Sequence, residues 1–151
     1  MKLDVVTETL SNLQIAERQL DRAIWLFFFE KDFVSALTLA GAAEEILGKL
    51  LKIEKKRSHA LESLINGALI LNGVPSGHAD EAKSRKELSN MVNYFKNRLK
   101  HYNDEGSLTF SVDYYAAEVI DRASTNYFLY TGNETKLMEK FKIEVLLGGN
   151  V

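Results

Sequence analysis

Cysteine is absent from the 151 residues. That excludes disulfides and thiolate metal sites and fits a reducing compartment. Proline occurs once, at position 75, so little stands in the way of long helices. Long apolar runs are lacking too. The densest, AIWLFFF (Ala23 to Phe29), has seven residues, whereas a membrane-spanning helix needs about 20. The opening MKLDVVTETL carries Asp4 and Glu8 and no apolar core of signal-peptide type. The expectation is a cytoplasmic protein without a membrane partner. Nor is there an excess of positive charge. Lys and Arg number 19 against 21 Asp and Glu, a formal net charge of -2, so nucleic-acid binding would need a local basic patch. The three histidines, His59, His78 and His101, are far apart, and no Glu-x-x-His pair exists. No metal and no cofactor are therefore expected, and no Gly-rich phosphate loop or nucleophile elbow is present.

What is present is helical. Hydrophobic residues make up 46% and charged residues 26%, and the length suits one domain, 1–151, with a real core. A first helix is predicted from about Thr9 to Glu30, where Leu13, Ala16, Leu20, Ala23, Ile24 and Phe27 recur every three or four residues. Asp32 can cap a second helix, from about Phe33 to Lys55. It is apolar over most of its circumference, and its small residues Ala40, Gly41, Ala42 and Ala43 suit a central helix with close neighbours. Ser58 is the expected cap of a third helix, and NGVPSGH (Asn72 to His78) is the clearest loop. A fourth helix is predicted from about Asp80 to His101. A fifth opens at Ser111 or Asp113 and stops at Gly132. A short last helix is capped by Asn133. Five or six helices with short connections imply an all-α antiparallel bundle.

The chemistry concentrates in NYFKNRLKHYNDEGS (Asn93 to Ser107). Asn90, Asn93, Asn97, His101 and Asp104 recur at helical spacing. Asn is a mediocre helix former. The stripe either faces solvent or forms a polar site, for which Asn amides offer both donors and acceptors. His101 is the candidate acid or base; as a plain helix-end residue it would only meet the dipole. Lys96, Arg98 and Lys100 add a local cationic edge. In the most apolar helix, Glu44 and Glu45 interrupt the pattern. Lys49 can serve Glu45 at i+4. A buried Glu44 needs a tertiary partner, with Arg85, Lys96 and His101 as candidates. The aromatic stretches WLFFF and NYFLY suit core or dimer surface better than base stacking.

These residues resemble a known family. GAAEEILGKLLK (Gly41 to Lys52) is similar to the helix signature QAAEKALKALLK of HEPN domains, and KDFVSAL resembles the stretch before it. KNRLKH is similar to the second signature, Arg, four to six residues, then His. It places His101 at the histidine, Asn97 at the following polar position and Lys96 where the family has arginine. NRLKH is also close to the NFFKH of divergent bacterial members of unknown function. The resemblance spans about Ala16 to Tyr102. It implies a helical bundle, a homodimer and, in active members, metal-independent RNA cleavage, with the histidine moving the 2′-hydroxyl proton and the arginine steadying phosphate. Other members are non-catalytic partners of nucleotidyltransferases in toxin–antitoxin pairs. Lysine supplies charge without the bidentate fork, and on an ideal helix Lys96 and His101 lie about 140° apart. The reading is therefore a non-catalytic interaction module or toxin–antitoxin-type partner. The alternative is an RNA- or nucleotide-binding domain with weak or lost ribonuclease activity, using Lys96 and His101 with Asn93, Asn97, Arg98, Lys100 and Glu44.

Overall fold

The computed structural model describes residues 5–74, 76–77 and 79–148. Among these, six α-helices form a bundle: α1 (Asn12–Trp25), α2 (Phe33–Leu50), α3 (Ala60–Leu71), α4 (Ala79–Lys100), α5 (Val112–Thr131) and α6 (Lys136–Phe141). Each of α1, α2 and α6 runs on into one wider π-helical turn, at Leu26–Glu30, Leu51–Lys55 and Lys142–Leu146. Pro75 and His78 of the expected loop lie outside the described residues, as does Asp4.

Local chemistry sets most helix starts. Ser11 and Gln14 form a reciprocal capping box: the Gln14 N–H donates to Ser11 Oγ at 3.2 Å and the Ser11 N–H to Gln14 Oε1 at 2.9 Å. The Asp32 carboxylate accepts from the Ser35 N–H at 3.1 Å and opens α2, as expected. Two expected caps move. The α3 cap is His59 rather than Ser58, its Nδ1 accepting from the Glu62 N–H at 3.4 Å. The α6 cap is Thr135 rather than Asn133. Thr135 wins because its hydroxyl also donates to Asp21 Oδ1 at 2.6 Å, anchoring the start of α6 to α1. Asn133 is held instead in the turn after α5, with its N–H on Thr131 Oγ1 at 3.0 Å. Gly132 ends α5 at φ 76°, a left-handed conformation that glycine adopts without strain.

The core lies between α1, α2, α5 and α6. Leu20 and Ile24 meet Leu37, Leu47, Ile120, Met138 and Phe141, all essentially removed from solvent. Burying each such side chain stabilises the fold by about 1.5–3 kcal/mol. The helix α2 is central, with α1 and α5 along its length. It turns back on α1 but runs in the same direction as α5, since Glu44 meets Arg122 and, farther along both helices, Glu54 meets Tyr130. Phe27 and Phe28 pack edge-on to Phe141, at ring-centroid distances of 5.5 and 6.1 Å, so much of WLFFF is core; Phe29 stays exposed.

The helices α3 and α4 form an antiparallel hairpin at the edge of this core. Arg85 donates to Asn66 Oδ1 at 2.7 Å across it. Only Ile65 and Leu69 of α3 are buried, and among the described side chains of α4 only Lys96 is. Phe95 anchors α4 from one side, stacked on Phe110 at 4.5 Å and against Tyr115 at 4.3 Å. From the other side α4 docks on α2 at Gly41. A Cβ built there would lie 2.7 Å from Lys96 Cδ and 2.9 Å from its Cγ.

The glycines of α2 and α3 should therefore respond oppositely to alanine. Gly41→Ala has to displace a lysine stem pinned at its far end and should destabilise by about 1–3 kcal/mol. Gly67→Ala meets open space on α3 and should stabilise by about 0.5–1 kcal/mol through helix propensity. Urea titration of both variants checks this; a Gly41→Ala midpoint equal to wild type would mean that α4 does not depend on this crossing.

Candidate functional site

Glu44 on α2 is 3% exposed, so its charge requires partners. Two cations supply them. Lys96 of α4 places Nζ 3.1 Å from Glu44 Oε2, and Arg122 of α5 places Nε 2.7 Å from Oε1. Both cations are themselves buried. Of the three candidate partners, the structure selects Lys96. Arg85 is held by Asn66 and Glu81 instead, and His101 opens onto another surface. Glu45, outside the cluster, pairs with Lys100 at 3.0 Å and reaches Lys96 at 3.6 Å rather than taking Lys49. Burial alone would raise the Glu45 carboxyl. The Lys100 hydrogen bond and the charges of Lys100 and Lys96 outweigh it and hold the group below its usual range.

Arg122 and Asn126 were not legible as site residues, although the sequence holds a signal. They sit at i and i+4 inside the apolar stripe Val119, Ala123 and Tyr127 of α5, a polar interruption like that of Glu44 in α2. Asn126 is fully buried. Its Oδ1 accepts from the Ala60 N–H at 2.7 Å, and its Nδ2 donates weakly to the Glu44 carbonyl at 3.5 Å. It thus ties the first turn of α3 to the helix that carries Glu44.

The end of α4 divides between two surfaces. Asn97 and His101, one turn apart, line a depression of about 310 Å3 with Asn90, Tyr94, Arg98, Tyr102 and Asn103. Lys96 lines a different one, of about 360 Å3, with Glu44, Glu45, Gly48, Lys49, Lys52, His59 and Leu61. The structure brings together His101, Asn97 and Arg98, and separately Lys96, Lys100 and Glu44. Asn93 lines neither of these depressions; its amide donates to the Ser89 carbonyl at 2.9 Å. Within one chain Lys96 and His101, the pair that the HEPN resemblance suggests, thus line different cavities. Arg98 is 10% exposed, with a Glu105 oxygen 3.6 Å from its Nε, and that Nε lacks a hydrogen-bond acceptor among the described residues. Among the described residues no group of three or more His, Asp or Glu could hold a metal ion, and no helix is long and apolar enough to cross a membrane.

The two halves of the ion cluster should not be equivalent. Glu44→Ala leaves two buried cations without their carboxylate and should cost about 3–5 kcal/mol. Lys96→Met keeps the stem over Gly41 and leaves Arg122 on Glu44, so it should cost clearly less. Thermal unfolding of both variants checks the order; equal losses would mean that Arg122 alone does not hold the carboxylate.

Neither family models, nor curated proteins, nor solved structures give a match to this chain.

Proposed function

We propose that this chain is a non-catalytic interaction module built on a HEPN-like bundle, binding a second copy of itself or a nucleotidyltransferase-type partner of a toxin–antitoxin pair. The observation that carries this reading is the uncovered apolar surface of the α3–α4 hairpin. Leu71 is 89% exposed, Ile70 76% and Met91 66%, with Leu64 also open. Leu64 and Leu71 are two turns apart on the outer side of α3. Met91 borders a depression of about 300 Å3 lined also by Leu69, Val74 and Leu88. Large aliphatic side chains gathered on a hairpin with so little core of its own favour a partner. The separation of Lys96 from His101 argues in the same direction, since a catalytic pair within one chain would have to share a cavity.

Sedimentation tests it. At concentrations of tens of micromolar, roughly the range in which a modest interface associates, the wild type should sediment as a dimer, and Leu71→Glu with Met91→Glu should be monomeric with unchanged helicity. A monomeric wild type that also fails to retain a nucleotidyltransferase-type protein would sink the reading.

A second reading, RNA or nucleotide binding with weak or lost cleavage, is favoured by Arg98. Its side chain lines one open depression with Asn97 and His101, a set of donors that suits a phosphate oxygen. Here Arg98→Ala should weaken binding of a single-stranded RNA, binding should fall steeply with salt, and Lys96→Arg should raise cleavage where the family's mechanism survives. Absence of both RNA binding and cleavage in the wild type, with no gain in Lys96→Arg, would remove it.

A further inference from the structure

The depression beside Lys96 continues past α2. It shares Lys52, His59 and Leu61 with a second one of about 480 Å3 that runs between α3 and α4 toward Ala82, Arg85 and Lys86. Together they make one groove. Its floor is aliphatic, with Ile65 buried and Leu61 half-buried. Its rim is lysine: Lys49 and Lys52 near the end of α2 and Lys86 on α4, all exposed.

The charges along it do not cancel. Glu44 is held by Lys96 and Arg122, Glu45 by Lys100, and Arg85 by Glu81. What remains uncommitted among the described lining residues is three lysines, Lys49, Lys52 and Lys86, against Glu62. A chain of net charge -2 therefore carries a locally positive groove over an apolar floor. His59 adds a donor. Its Nδ1 accepts from the Glu62 N–H, so the neutral ring carries its proton on Nε2.

We infer that this groove takes an acidic amphipathic peptide segment of a partner protein, with carboxylates on Lys49, Lys52 and Lys86 and aliphatic side chains over Leu61 and Ile65. Charge complementarity selects the sign of the partner. The floor selects peptide over nucleic acid, because grooves for single strands pair their cations with aromatic stacking platforms. The tyrosines Tyr94 and Tyr102 line the other depression, and among the described residues the only ring bordering this groove is His59. The inference rests on the interaction-module reading and names the chemistry of one partner.

Fluorescence anisotropy with a short labelled peptide of alternating Glu and Leu tests it, with the Gln/Leu counterpart and a single-stranded RNA as comparisons. The Glu/Leu peptide should bind, weaken with salt, and lose about tenfold in affinity in the double variant Lys52→Glu/Lys86→Glu; the Gln/Leu peptide should bind at least as weakly as that variant does. Both substitutions are at exposed positions, and circular dichroism verifies that the fold is kept. Failure of the Glu/Leu peptide to bind, equal binding of the Gln/Leu peptide, or affinity unchanged by the double variant would overturn the inference. So would an RNA that binds more tightly than the peptide and loses affinity in the same variant. Sedimentation of the wild type separates the two levels: a wild-type dimer that ignores the peptide removes the groove and leaves the interaction module standing.

Discussion

The placement of α4 depends on one buried carboxylate. Glu44 holds Lys96 from α4 and Arg122 from α5, and its own helix provides at Gly41 the gap through which the lysine stem passes. An ion pair of this kind adds little net stability over a well-packed apolar contact, because both charges lose their water. Its effect is on placement. A hydrophobic contact tolerates sliding, whereas a carboxylate shared by two cations at 3.1 and 2.7 Å restricts where both helices can sit. The cluster holds two cations for one carboxylate; Glu45 approaches Lys96 from outside it while bonded to Lys100, so three cations share two carboxylates.

This arrangement bears on the chemistry of the α4 end. A lysine that lies across Gly41 and points at Glu44 cannot also sit beside His101, which follows five residues later on another side of the helix. The polar residues therefore divide into an open, aromatic-bordered depression carrying Arg98, Asn97 and His101, and a lysine-rimmed groove over aliphatic residues. Each suits recognition of a charged partner. Neither brings Lys96 and His101 together within one chain.

The bundle and its hairpin are built differently. The helices α1, α2, α5 and α6 enclose a dry core of Leu, Ile, Ala, Met and Phe. Of the α3–α4 hairpin, Leu99 packs against that core, Ile65 and Leu69 are buried apart from it, and Ile70, Leu71 and Met91 are left in solvent. It is the part of the molecule whose stability stands to gain most from a second chain. The proposed dimer surface and the lysine-rimmed groove both belong to it, on different sides.

The sequence by itself determined the helices, because amphipathic period, caps and breakers act within a few residues: the Ser11 box, Asp32 and Gly132 are local chemistry. It also marked Glu44 and Glu45 as carboxylates interrupting an apolar helix, and left open whether Glu44 is buried on a tertiary partner or lies in a partly wet groove. The choice among Arg85, Lys96 and His101, and the presence of Arg122, were decided by tertiary structure. Periodicity reports which face of a helix is apolar but not which neighbour covers it, at what height or in which direction. Here α5 runs alongside α2 in the same sense, which brings Arg122 to Glu44 and Asn126 to the start of α3. The same limit applies to the Asn stripe. Helical spacing grouped Asn90, Asn93 and Asn97 with His101, but Asn93 bonds back to its own helix, because only the packing of α4 on α2 sets which part of that face stays open.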